Sequence, residues 1–291
     1  MPENSSLDGE TKMMQFGKLA MSAVFAAIGI SALPTLAGAQ TTFLYNGSGT
    51  QTPQSQGWLA FSDNAVLGDG TPAVSSSGGT TTLDTTTGNI PSSSSNIEAG
   101  YSNYTALGSM VNPAFPSLNP ATGFSVGLDV QINSESHSSN DRAGFDVIVL
   151  GSDKKGVELG FWGNDVWAQQ YSCGSGFTHD PSEDADTQGG ASFASTFTTE
   201  GASSHYQLSI IGTNYSLTDK GTTILTGQTH DYTAYGSAPY TLANYIFVGD
   251  DTTEGEASET FSTLSVTVPE PATATGLVAL CLFALARRRR R

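Results

Sequence analysis

Gly123-Phe124-Ser125-Val126-Gly127-Leu128-Asp129-Val130-Gln131-Ile132 alternates apolar with small or polar residues without a break. Side chains of an extended chain point alternately to opposite faces. Phe124, Val126, Leu128, Val130 and Ile132 therefore share one apolar face. Ser125, Gly127, Asp129 and Gln131 share the other, so the stretch predicts a half-buried strand. The same rhythm continues outward. Ala143 to Leu150 (AGFDVIVL) and Gly156 to Trp162 (GVELGFW) are joined by Ser152-Asp153-Lys154-Lys155-Gly156, a hairpin signal that predicts positive φ at Gly156. Asp165 to Gln170 (DVWAQQ) returns after Gly163-Asn164. Further strands are expected at Tyr206–Ile211, Tyr215–Thr218, Thr222–Thr226, Tyr245–Gly249 and Phe261–Val268. Weaker ones are expected at Thr41–Tyr45, Trp58–Phe61, Thr80–Asp84 and Ala99–Tyr104. Thr71–Asn96 reads as a solvated loop or weak edge strands, and Cys173–Ser204 as a long acidic loop. Many short strands, each with one apolar face, predict an all-β fold of two packed antiparallel sheets.

Charge narrows the partners. The chain carries 27 acidic and 11 basic residues, a net charge of −16. Between Gln40 and Val268 the only basic residues are Arg142, Lys154, Lys155 and Lys220. Such a surface repels nucleic acid and anionic membrane and admits divalent cations or neutral glycans. Cys173 is the one cysteine outside the C-terminal apolar run, so no disulfide forms within the domain and no zinc site is built on paired cysteines.

The two ends read as addresses rather than as fold. At the N-terminus, Lys12 and Lys18 precede an apolar stretch from Leu19 to Leu33, and Ala37-Gly38-Ala39 fits small-residue cleavage before Gln40. This predicts a secretory signal peptide over residues 1–39 and implicates a signal peptidase. At the other end, Pro269-Glu270-Pro271 precedes an apolar run from Ala272 to Ala286, closed by Arg287, Arg288, Arg289, Arg290 and Arg291. A helix over that run spans about 22 Å, short of a hydrocarbon core about 30 Å thick. The arginines favour the cytoplasmic side, and the prolines stop a helix from growing back into the domain. Triad, run and basic end in this order resemble the PEP-CTERM sorting tail of exported bacterial proteins. The resemblance implies a tail over 269–291 that an exosortase-type membrane sorting enzyme recognises and removes. The expected localisation follows: exported, held transiently in the inner membrane by the C-terminal helix, then at the cell surface or extracellular.

The segment between, residues 40–268, is similar to concanavalin-A-like (laminin-G-like) jelly-roll domains found with interchangeable C-terminal anchors. The residues that carry this are FSVGLDVQI, RAGFDVIVL, GVELGFWGNDVWAQ, YQLSIIGTNYSLTDKGTTILTG and YIFVGDDTT. The resemblance implies a two-sheet jelly-roll sandwich.

Several constellations bear on chemistry. Gly123-Phe124-Ser125-Val126-Gly127 matches the letters of a nucleophile elbow, but that motif needs a strand-to-helix turn and here the alternation simply continues. Glu254-Gly255-Glu256-Ala257-Ser258-Glu259 approaches the acid spacing of jelly-roll glucanases, with Glu in the middle position and no apolar alternation around it. Asp184-Ala185-Asp186-Thr187-Gln188-Gly189 starts like a calcium loop but has Gln188 at loop position 5 and Ser195 at position 12. A looser calcium site using Asp180, Glu183, Asp184 or Asp186, or one at Asp250 and Asp251, remains as a candidate. Trp162 and Trp167 flank a turn with Asn164 and Asp165, which makes these four candidate glycan-binding residues. His137, His179, His205 and His230 lack metal-ligand spacing. The expectation is a non-enzymatic surface or matrix protein whose sandwich binds extracellular polysaccharide, with Ca2+ as the only candidate cofactor. The alternatives are a structural envelope protein that binds no sugar, and a glycan hydrolase whose site the motifs do not reveal.

Overall fold

The computed structural model describes residues 38–48, 51–63, 71–88, 97–190 and 197–270. Ala37, Pro271 and the five arginines lie outside them, as does the apolar run before the arginines. The regular structure described is nearly all strand: β1 Ala39–Asn46, β2 Ala60–Asp63, β3 Pro72–Ser77, β4 Thr80–Gly88, β5 Ala99–Ser102, β6 Phe124–His137, β7 Phe145–Leu150 and β8 Gly156–Trp162. Then follow β9 Asp165–Ser172, β10 Gly176–Asp184, β11 Ser204–Ile211, β12 Asn214–Asp219, β13 Thr222–Gln228, β14 Tyr245–Asp250 and β15 Gly255–Pro269. The one α-helix among the described residues, α1, covers Ala185–Gly189.

Two antiparallel sheets form the sandwich. The first has the order β13-β12-β11-β6-β15-β4-β3, with β1 also on β15; the second has β10-β9-β8-β7-β14-β5-β2. The first sheet is organised by the long strand β15. One edge pairs with β6. The other edge pairs with β4 through Ser258–Phe261 and with β1 through Thr263–Pro269.

The alternation in β6 does what the sequence predicts: Phe124, Val126, Leu128, Val130 and Ile132 are buried between the sheets. They meet Phe145, Val147 and Val149 of β7 and Val157, Leu159 and Phe161 of β8. At about 25 cal/mol per Å² of apolar surface removed from water, this layer drives folding.

Strands β7 and β14 are buried on both faces. Ile148, Leu150, Tyr245 and Phe247 form a second cluster with Tyr232 and Tyr240, on the side of the sheet away from the main core. The segment from Thr229 to Asn244 supplies the two tyrosines and is tied down to β8. His230 and Gly156 exchange backbone hydrogen bonds of 2.7 and 3.1 Å. The Tyr232 hydroxyl accepts from Glu158 N–H at 3.1 Å and donates to Gln169 O at 2.5 Å.

Three sequence expectations need correction. In the β7–β8 turn the positive φ falls on Lys154 (68°), not Gly156. Gly156 is required for a different reason: a Cβ there would lie 1.8 Å from Val149 O. Cys173–Ser204 is not a continuous loop, because β10 and α1 lie within it. Glu256 and Glu259 belong to β15, where a bulge between Ser258 and Glu259 breaks the register that would signal a strand.

Candidate functional site

Strands β7, β8 and β14 are neighbours in the second sheet, and each sends an acidic or aromatic residue outward beneath the Thr229–Asn244 segment. Asp146 in β7 stands opposite Gly160 in β8 and Gly249 in β14. Glu158 stands opposite Ile148, one step along the same face. Asp251 follows β14 two residues after Gly249. One oxygen from each of Asp146, Glu158 and Asp251 lies within 4.8 Å of the others. Glu158 and Asp251 line a cleft of about 540 Å³, and Asp146 lies buried next to them. Phe177, Tyr235, Tyr240, Tyr245 and Phe247 wall it, and Arg142 and Gln169 also line it.

The electrostatics of this floor are unusual. Burial pushes the Asp146 and Glu158 carboxyls well above the ordinary carboxylate range, and the neighbouring Asp251 charge adds to both shifts. Asp251 is raised by burial, against the hydrogen bond from Asp146 and the nearby Arg142 charge. Glu158 Oε2 accepts the Tyr240 hydroxyl at 2.5 Å. Asp146 Oδ2 is buried and has no hydrogen-bond partner. Arg142 is otherwise engaged: its Nη1 donates to Asp141 O at 2.6 Å and Phe177 O at 3.1 Å, and its Nε lies 3.9 Å from Glu254. More acid surrounds the cleft at Asp63, Glu98 and Glu254.

The residues singled out from sequence are distributed differently. Trp162, Asn164, Asp165 and Trp167 do not make an exposed platform. Trp167 is fully buried, its ring packed over Gly160, and Asp165 is buried too. Trp162 is half-buried, stacked on His137 with centroids 4.6 Å apart, and its Nε1 donates to Arg142 O at 2.7 Å. Only Asn164 is exposed. Asp165 Oδ1 accepts the Val166 and Asp186 N–H groups; burial, with Asp184 nearby, pushes its pKa up to about 6. Asp184 caps α1, accepting Thr187 N–H at 2.8 Å, and pairs with His179 at 3.0 Å. Asp184 and Asp186 thus serve a helix start and belong to neither cation-sized acid group among the described residues.

Asp250 and Asp251 both line the cleft but part company: Asp250 is fully buried and accepts the Thr85 hydroxyl at 2.7 Å, while Asp251 joins the acid trio. Ser125 is on the polar face of β6, where its hydroxyl accepts from Gln207. Glu254, Glu256 and Glu259 do not converge: one lines the cleft, one accepts the Ser136 hydroxyl, and one is in the core. Each of the four histidines pairs with a carboxylate. Cys173 is free and exposed. Asp146 and Glu158 were missed because each is a lone acid in an apolar strand, a local signal that ordinarily means a solvated position.

The C-terminal end of the sandwich carries a second feature. Ala39 and Gln40, at the expected leader cleavage position, stand opposite Pro269 and Val268 in the β1–β15 ladder. Glu270 N–H donates to Gly38 O at 2.7 Å. Residues 267–291 match the family model of the PEP-CTERM protein-sorting motif. The chain carries this sorting motif. The PEP-CTERM motif marks an exported protein sorted at the membrane and processed by an exosortase. No helix among the described residues is long and apolar enough to cross a membrane.

No curated protein matches the chain. Similar solved structures include a conserved carbohydrate esterase from Shiga toxin-encoding bacteriophage phi24B, with a TM-score of 0.48 and 10% identity over 79% of this chain and 100% of that one. Another is the alginate lyase A1-II′ of polysaccharide lyase family 7, with a TM-score of 0.42 and 16% identity over 81% and 96%. A third is botulinum neurotoxin type C, with a TM-score of 0.42 and 9% identity over 82% of this chain and 50% of that one.

Proposed function

We propose that the protein is a non-enzymatic glycan-binding sandwich, held transiently in the inner membrane by its PEP-CTERM tail and then displayed at the cell surface or released. The observation that carries this reading is the aromatic-walled, acid-floored cleft over the second sheet. Sugars bury their C–H faces against aromatic rings and give their hydroxyl protons to carboxylates and amides. Tyr235, 48% exposed, offers its ring at the rim, and Gln169 and Glu158 offer polar groups below. The excess of acid selects against anionic polysaccharides and for neutral or amino sugars.

A glycan array probed with the full chain in detergent tests this. Binding to neutral or amino-sugar polysaccharides is expected, weakened at least about tenfold by Tyr235→Ala, since one well-placed aromatic contact contributes about 1.5 kcal/mol. An array with no bound glycan, or binding indifferent to Tyr235→Ala, would overturn the assignment of the cleft. Release of new reducing ends or unsaturated products from a bound polysaccharide would overturn the non-enzymatic part.

A further inference from the structure

We propose that Asp146, Glu158 and Asp251 bind one calcium ion at the floor of the cleft. The inference concerns the same cleft and rests on the glycan-binding reading for what the ion does there. Three observations carry it. First, carboxylate oxygens from β7, β8 and the residue just after β14 converge within 4.8 Å, a span that one cation can bridge. Second, Asp146 is 2% exposed and belongs to this group, yet its Oδ2 has no hydrogen-bond partner, so a buried carboxyl oxygen goes without a donor. Native structures rarely leave such an atom unsatisfied, because its desolvation goes uncompensated. Third, no lysine or arginine among the described residues forms an ion pair with any of the three; the nearby Arg142 guanidinium is committed to backbone carbonyls.

The donor set selects the metal. All three ligands are hard oxygens, with no cysteine or histidine in the group, which favours calcium over zinc or copper. Calcium takes about 6–8 oxygens. Three carboxylates leave coordination positions over, and those face the cleft, where water or vicinal sugar hydroxyls complete the shell. The ion would also neutralise an acid floor that otherwise repels its own ligands. The second acid group, Asp180, Glu183 and His230, serves as the contrast: both Glu183 oxygens already accept hydrogen bonds from Tyr215, Gln228 and His230, so it lacks an orphaned oxygen.

The test is calorimetric titration of calcium into the chelator-treated full chain in detergent, with thermal unfolding alongside. Single-site heat saturating at or below about 1 mM calcium and a raised Tm are expected, the range for extracellular modules. Asp146→Asn should weaken the affinity at least about tenfold, and Asp180→Asn should leave it unchanged. Absence of both heat and Tm shift in the unmodified chain overturns the proposal without recourse to any variant. Equal calcium affinity in Asp146→Asn, with near-UV circular dichroism unchanged, also overturns it. Repeating the glycan array with and without chelator separates the two claims. Calcium binding with no glycan binding overturns the glycan role and leaves the ion site standing. Glycan binding that ignores chelator, in a chain giving no calcium heat, overturns the ion site and leaves the glycan reading standing.

Discussion

Glu183 and Glu259 are both buried glutamates, and they live in opposite chemical worlds. Glu183 accepts the Tyr215 hydroxyl at 2.8 Å, Gln228 N–H at 2.8 Å and a His230 ring nitrogen at 3.1 Å. Burial alone would raise its pKa, but these donors hold it below the ordinary value. Glu259 is fully buried in the core with neither carboxylate oxygen partnered, and burial, with Asp84 nearby, pushes its pKa well up. The difference lies in the donors, not in the depth. A satisfied buried acid fastens elements together: Glu183 joins β10 to β12 and β13. An unsatisfied one opposes folding whenever it ionises. Asp146, like Glu259, has an unpartnered oxygen but differs in standing beside two other acids, Glu158 and Asp251.

The largest effect should come from removing the satisfied acid. Glu183→Ala strands a tyrosine hydroxyl, a backbone N–H and a histidine together, and should cost about 3 kcal/mol in denaturant unfolding. A loss below about 1 kcal/mol would erase the contrast with Glu259. Next, the two acids should show opposite pH dependence. Because the folded pKa of Glu183 is depressed, its contribution is present above its unfolded pKa of about 4.3 and is lost as pH falls through the folded value. Glu259 works the other way: its raised folded pKa makes stability fall as pH rises from about 4.3 toward that value. Glu259→Gln should match the parent near pH 4 and be the more stable by about 1–3 kcal/mol at high pH. Parallel pH–stability curves for the two proteins would refute the assignment. The smallest effect concerns Asp165, which has two backbone donors but lies near other acids and titrates at about 6. Stability should decline modestly between about pH 4 and pH 6 on its account, and Asp165→Asn should flatten that slope in a urea-midpoint series.

Legibility follows how local each signal is. The buried face of β6, the β7–β8 and β12–β13 hairpins and the sorting tail were readable, because periodicity and turn chemistry act within a few residues. In the β12–β13 turn, positive φ falls on Lys220 (49°) and Gly221 (83°). Trp167 misled because its ring is buried by contacts that cross strands: it packs over Gly160 of β8, with the Trp162 and His179 ring centroids 5.3 and 4.7 Å away. Asp250 and Asp251 look equivalent in sequence, yet Asp250 ends β14 with its carboxylate on buried Thr85, and Asp251, just past the strand, joins the acid trio.

The amino-acid sequence alone determined most of the strands, the core-facing residues of β6, the acidic character of the domain and its C-terminal sorting address. All of these depend on neighbours along the chain. Only the tertiary structure decided the site. Asp146, Glu158 and Asp251 meet because β14 pairs with β7 across nearly a hundred residues of chain. A partner that distant is chosen by the burial of whole sheet faces, which no local pattern around a single acid can encode.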